Sequence, residues 1–167
     1  MIYLNDTKVT RSVSVEQWCE LARTGDVMPI RIQLDGISMQ PLVRRRRDYV
    51  TVVPLRRQPQ ISDIVLFTDS KNRYCVHRVN KMSSGKVRTL GDNCFDYDGW
   101  TDIKDILGLV VLLERNGKKY NLDSPAFRFY GKVRMAILPL RRIKHFFAKH
   151  FWSAYNRLVR KGGSSDG

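Results

Sequence analysis

Side chains able to attack a carbonyl together stand in three well-marked segments of this chain. The first holds a serine, in Asp35-Gly36-Ile37-Ser38-Met39-Gln40-Pro41. It follows an apolar run and a glycine that permits close backbone approach, and Met39 and Pro41 hold it from the other side. The second holds a histidine, in the strand-like Val76-His77-Arg78-Val79. The third is acidic: Gly91-Asp92-Asn93, with Asp96 and Asp98 close behind. A serine hydroxyl is a poor nucleophile at neutral pH, and an imidazole, with an unperturbed pKa of about 6.5, is a suitable acceptor for its proton. A carboxylate that orients the ring and stabilises the imidazolium completes such a unit. Taken singly, Ser38 reads as a turn serine and His77 as a packed strand histidine; their combination favours the chemical reading. Cys75-Val76-His77 and Asp92-Asn93-Cys94 lack the spacing of established zinc sites, so neither metal nor cofactor is expected.

The elements that must position these residues can be read from periodicity. Ser14-Val15-Glu16-Gln17 is a capping box, and Val15, Trp18, Leu21 and Ala22 share one face, which predicts a short helix from about Val15 to Thr24 stopped by Gly25. Short β-branched runs follow at 28–34, 49–53, 64–68, 74–79, 87–90, 106–113 and 119–122, which predicts a mainly β body. Turn residues separate them at Asp35-Gly36, Pro59, Ser83-Ser84-Gly85, Asp98-Gly99 and Asn116-Gly117, the last a strong hairpin signal. Beyond Pro139, Leu140, Ile143, Phe146, Phe147, Phe151, Trp152, Tyr155 and Leu158 recur at helical spacing with Lys and Arg opposite. The organisation expected is an N-terminal segment (1–26), a β domain (27–124), a basic amphipathic tail (125–161) and a flexible end (162–167).

In order and spacing, Gly36-Ile37-Ser38-Met39-Gln40-Pro41, Asp48-Tyr49-Val50, Asp63-Ile64-Val65-Leu66-Phe67, Val76-His77-Arg78-Val79 and Gly91-Asp92-Asn93 resemble the boxes of the signal-peptidase-like serine peptidases, which include the LexA-like self-cleaving proteins. The resemblance spans residues 34 to about 115. It implies a coiled antiparallel β fold and a serine endopeptidase that binds a peptide or precursor protein as an extended strand. The V-H-R-V context is similar to that of the endoplasmic-reticulum type, in which histidine replaces the usual lysine base. The resemblance therefore implies Ser38 as nucleophile, His77 as base and Asp98, six residues after Asp92, as the orienting acid. Asp92 is instead expected to brace its turn through backbone hydrogen bonds, and Asp96 is the weaker alternative for the third position. The Ser38 backbone N–H is the natural oxyanion donor. Gly36 stands where many relatives place a second hydroxyl, and Arg47-Asp48 and Ser62-Asp63 stand where Gly-Asp is usual.

Composition bounds the remaining classes. The 167 residues carry 30 Lys and Arg against 16 Asp and Glu, a net charge of +14. Residues 126–167 contribute +9 of this and residues 1–125 only +5. The longest apolar-plus-glycine run, Ile106 to Leu113, is far short of the roughly 20 residues that a helical span needs. Three cysteines cannot all pair, and Met1 to Asp6 lacks the basic start of a secretory signal, so the expected compartment is the cytosol, peripherally on the inner face of the membrane. The expected second partner is an anionic membrane, through residues 140–161. Nucleic acid is not expected, since no aromatic interleaving accompanies Arg44-Arg45-Arg46-Arg47, which reads as a solvated loop. The rival class is a non-catalytic β-fold binding module anchored by its basic tail. A histidine base predicts that turnover rises with pH through about 6 to 7.5, a range set apart from that of a lysine base, and a pH–rate profile measures it.

Overall fold

A computed structural model describes residues 14–24, 27–147 and 150 of the chain. Helix α1 (Val15–Thr24) precedes strands β1 (Ile30–Gln33), β2 (Tyr49–Pro54), β3 (Ile64–Thr68), β4 (Tyr74–Ser83), β5 (Lys86–Leu90) and β6 (Trp100–Asp102). A single 3-10 turn, Ile103–Asp105, leads into β7 (Ile106–Arg115) and β8 (Lys118–Asn121), and helix α2 (Pro125–Ala136) follows. Residues 138–147, termed α3 below, are helical again. The expected stop at Gly25, the helical residues expected at 151–161 and the flexible end at 162–167 lie outside the described residues.

The fold is mainly β, a curled antiparallel half-barrel. The sheet order is β1-β2-β7-β3-β4-β5-β6, with β8 pairing β7. β7 is the hub: its length lets β2 run along one side while β3 and then β8 share the other. Register shifts at Thr51/Val52, Leu66/Phe67 and Val79/Lys81 supply the extra twist that curls the sheet. One apolar cluster, built on Val50, Val52, Leu66, Val76 and Leu113, lies beneath α1 and takes in Trp18 and Met39. The other gathers Val65, Phe67, Val79, Val87, Ile106 and Leu109. Gly108 is needed between β2 and α1, because a Cβ there would stand 2.5 Å from the Val53 carbonyl and 3.0 Å from the Trp18 ring.

Local sequence explains most boundaries. The capping box is formed: Ser14 N–H donates to Gln17 Oε1 and Gln17 N–H to Ser14 Oγ, each at 3.2 Å. The buried face of α1 is Trp18 and Cys19, however, while Leu21 is exposed, so the expected apolar stripe is rotated by about one residue. Asn116 (φ 50°) and Gly117 (φ 75°) form the tight β7–β8 turn, and Ser84 (φ 45°) and Gly85 (φ 77°) do the same between β4 and β5. β6 and α2 are additions to the expected elements. β6 is only three residues long, and α2 carries apolar side chains on both faces, which blurs its period.

The residues before β2 and β3 hold buried carboxylates. Asp48 is fully buried and is gripped by Arg115 at 2.6 Å and Arg44 at 2.9 Å. Asp63 receives Arg57 at 2.6 Å and, from α2, Arg128 at 3.1 Å. The tetra-arginine stretch is a turn with Arg45, Arg46 and Arg47 exposed, as expected of a solvated loop; Arg45 and Arg46 bond the exposed Asp35, and Arg44 alone turns inward, to Asp48. Ser62 adopts φ 83° and sends its hydroxyl to the Arg128 carbonyl at 3.0 Å.

Burial pushes the Asp48 carboxyl up, but hydrogen bonds from Arg115 and Arg44 outweigh it and hold the pKa down at about 2. A lowered folded-state pKa stabilises the fold above the unfolded value and is lost as pH falls through the folded one. Urea unfolding of the wild type should therefore lose roughly 2 kcal/mol from this group between about pH 4 and pH 2. Asp48→Asn should cost about 3 kcal/mol at neutral pH and lack that acid-dependent share, because two arginines lose their buried counter-charge.

Candidate active site

The segment after β1 turns sharply, with Gln40 N–H donating to the Ile37 carbonyl at 3.1 Å and Val43 N–H to Met39 at 2.9 Å. The Gln40–Pro41 peptide is cis. Met39 is 1% exposed and plugs the cluster beneath α1, which fixes the turn that presents Ser38. Gly36 leaves one side of the serine open: a Cβ there would lie 3.9 Å from Ser38 Oγ and 4.0 Å from Ser38 N.

His77 and Arg78 are successive residues of β4, so their side chains leave opposite faces of the sheet. His77 pairs with Val65 of β3, and its ring lies 6.0 Å from that of Phe67 on the same face. Its Nδ1 is 2.7 Å from Asp98 Oδ2. A carboxylate accepts and does not donate, so Nδ1 carries the proton and Nε2 is the nitrogen left to accept one. Thr89 of β5, fully buried and paired with Val79, donates its hydroxyl to the same Oδ2 at 2.6 Å. Asp98 is pinned at its backbone as well, its N–H donating to the Thr89 carbonyl at 3.0 Å and its carbonyl accepting from Arg88 at 3.2 Å.

Arg78, on the other face, makes a two-pronged pair with Asp92 at 2.8 and 2.7 Å, with side-chain exposures of 4% and 2%. Asp92 does brace its turn, but through this buried ion pair rather than the backbone bonds expected. Its commitment to Arg78 takes it away from the imidazole. Asp96 is exposed on the loop. Arg78 also donates to the Ser62 carbonyl at 2.9 Å, and Arg134 of α2 bonds the Asp92 carbonyl.

Ser38 meets this assembly through the β5–β6 loop. Its carbonyl accepts from Asn93 N–H at 2.6 Å. A Cβ on Gly91 would stand 2.8 Å from that carbonyl and 3.0 Å from Ser38 Cβ. Extending the β4–β5 ladder by one residue beyond Arg78↔Leu90 sets Gly91 beside His77, so the serine turn abuts the position opposite the histidine. Among the described residues, no hydrogen bond joins the Ser38 hydroxyl to the His77 ring. Cys94 lines the same corner, its sulfur 2.8 Å from the Gly91 Cβ position, and burial pushes its thiol up.

Thr89 is the part of this site not singled out from sequence; Gly91 and Asn93 stood in the acidic segment, but their contacts with the Ser38 turn were not foreseen. Thr89 shares the face of His77 through its pairing with Val79, which no pattern within β5 alone reveals. No known family model and no curated protein sequence matches the chain.

Gly91→Ala should push the Ser38 turn away from the loop, because the atoms in the way are backbone and a Cβ, which cannot swing aside. We expect a loss of about 1 to 3 kcal/mol in urea unfolding and displaced Ser38 and Asn93 amide resonances. Met39→Ala should cost about 2 to 5 kcal/mol by leaving a cavity beneath the same turn.

Proposed function

We propose that the chain is a serine endopeptidase of the signal-peptidase-like type, with Ser38 as nucleophile, His77 as general base and Asp98 as orienting acid. The observation that carries the reading is the Asp98 carboxylate on His77 Nδ1, with Thr89 fixing that carboxylate in turn. An imidazole so held keeps Nε2 clear of Asp98 and able to accept the Ser38 proton. A base and a hydroxyl that are not yet bonded can close on one another when substrate enters.

Ser38 Oγ attacks the peptide carbonyl while its proton passes to Nε2 of His77. Asp98 stabilises the imidazolium, and the Ser38 backbone N–H donates to the developing oxyanion. The tetrahedral species collapses as His77 returns the proton to the leaving amine, which leaves an acyl-serine. Water, deprotonated by the same ring, then releases the acid. β1 is an edge of the sheet and runs straight into the serine turn, so an extended peptide added there would lie beside Ser38. The open side at Gly36 leaves room for it. The substrate class proposed is a peptide precursor with a leader or signal-like segment, bound as an extended strand.

A fluorophosphonate probe tests the reading without a known substrate, with mass spectrometry locating the label and a thermal transition verifying each variant's fold. The wild type should be labelled at Ser38, Ser38→Ala not at all, and His77→Ala and Asp98→Asn about a hundredfold or more slowly. Thr89→Val should slow labelling by about tenfold, as expected of a positioning residue that loses one hydrogen bond. Labelling of folded Ser38→Ala at the wild-type rate, or of His77→Ala with no loss, would falsify the assignment. A non-catalytic binding module would give no labelling of any form.

A further inference from the structure

The helical ribbon of α2 and α3 is two-faced, and among the described residues only one face has a partner. Toward the β body it buries Gly131 and Leu138 and sends Arg134 to the Asp92 carbonyl and Arg142 to the Phe95 carbonyl, while His145 stacks on Phe95 with ring centroids 4.2 Å apart. The other face is apolar. Phe129, Val133, Ile137, Leu140, Ile143 and Phe147 recur at steps of four, four, three, three and four residues, which keeps them on one line of a helix. They are 68%, 39%, 37%, 68%, 53% and 66% exposed. The line survives the junction at Ile137, because Ile137 N–H donates to the Val133 carbonyl and Arg141 N–H to Ile137, both at 3.0 Å.

The stripe expected to begin at Leu140 does not pack on the β body between residues 140 and 147; Leu138, Arg142 and His145 do the docking instead. It also begins earlier than expected, at Phe129.

Charge chooses the occupant of this face. Residues 126–161 contain no Asp or Glu, and exposed Lys132 and Lys144 border the apolar line on its two sides. A second copy laid face to face would set these cations against their own kind, and a nucleic acid has no use for six apolar side chains. An anionic lipid surface satisfies both parts, taking Phe and Leu at the acyl boundary and lysines among the headgroups. No helix among the described residues is long and apolar enough to cross a membrane. We propose that the outward face of α2 and α3 seats the protein on an anionic bilayer, with the ribbon lying in the headgroup plane. The inference stands apart from the peptidase reading and survives its failure.

Co-sedimentation of the full chain with vesicles tests it, using phosphatidylcholine alone and a mixture of about seven parts phosphatidylcholine to three of phosphatidylglycerol. The wild type should bind the mixed vesicles, bind neutral ones at least about tenfold less, and be released as salt rises through the screening range. Phe129→Glu with Leu140→Glu and Phe147→Glu should lower binding by about tenfold or more, since three apolar contacts are lost and three negative charges gained. Lys132→Glu with Lys144→Glu should weaken it while leaving the apolar line intact. All these positions are exposed, so the thermal transition should be unchanged; if a triple variant does unfold, the lysine pair carries the test alone. Equal binding to neutral and anionic vesicles, binding unaltered in folded variants, or no binding at all overturns the proposal. Wild-type dimers in sedimentation velocity that become monomers in the triple variant, without lipid binding, would overturn it in favour of a second copy.

Discussion

The buried pair of Arg78 and Asp92 is the interaction on which the rest of this architecture rests. Because Arg78 and His77 are neighbours on β4, their side chains leave the sheet on opposite faces, and each takes a carboxylate from the loop between β5 and β6. The loop is therefore clamped from both sides. One clamp is almost fully buried, where removing either partner strands a charge at a cost of about 3 to 5 kcal/mol. The other is partly open, with His77 12% and Asp98 28% exposed. The closed pair fixes position, and the open pair remains accessible to solvent.

The same economy runs through the other buried acids. Asp48 ties the loop before β2 to the far end of β7, and Asp63 ties the loop before β3 to α2. Arginine suits these posts because its planar fork bonds a carboxylate at two points and so fixes angle as well as distance. Several arginines are thus spent on buried carboxylates at the sheet, while the cations of α2 and α3 divide between Asp63, the β5–β6 loop and the outward face.

How far the sequence foretold this depends on the range of the interaction concerned. Local rules served well: Ser14 and Gln17 cap α1 as their spacing requires, and Asn116-Gly117 makes the turn its two residues favour. Spaced motifs marked Ser38, His77 and Asp98, and the structure joins the last two and sets the first against Gly91. What stayed hidden was cross-strand. Thr89 is an ordinary strand threonine until the register with Val79 places it on the histidine's face. Asp92 needed the knowledge that Arg78 points away from His77. Helix α2 escaped notice despite Pro125 at its first turn, because Phe127 and Tyr130 face the body while Phe129 and Val133 face outward, and a helix apolar on both sides loses its period.

Residues 91–99 have no regular structure, and ordering an irregular segment costs roughly 1 to 2 kcal/mol of backbone conformational entropy per residue. Nothing within the loop offsets so large a sum. Its order is imported from its surroundings: the two faces of β4, Arg88 and Thr89 of β5, the Ser38 carbonyl, and the helical ribbon that grips the carbonyls of Asp92 and Phe95 and lays Arg142 against the Tyr97 ring. The ribbon and the carboxylate beside the histidine consequently share one free-energy balance. Whatever holds the ribbon in its docked arrangement narrows the ensemble of the loop, and whatever lifts it away returns that entropy at Asp98.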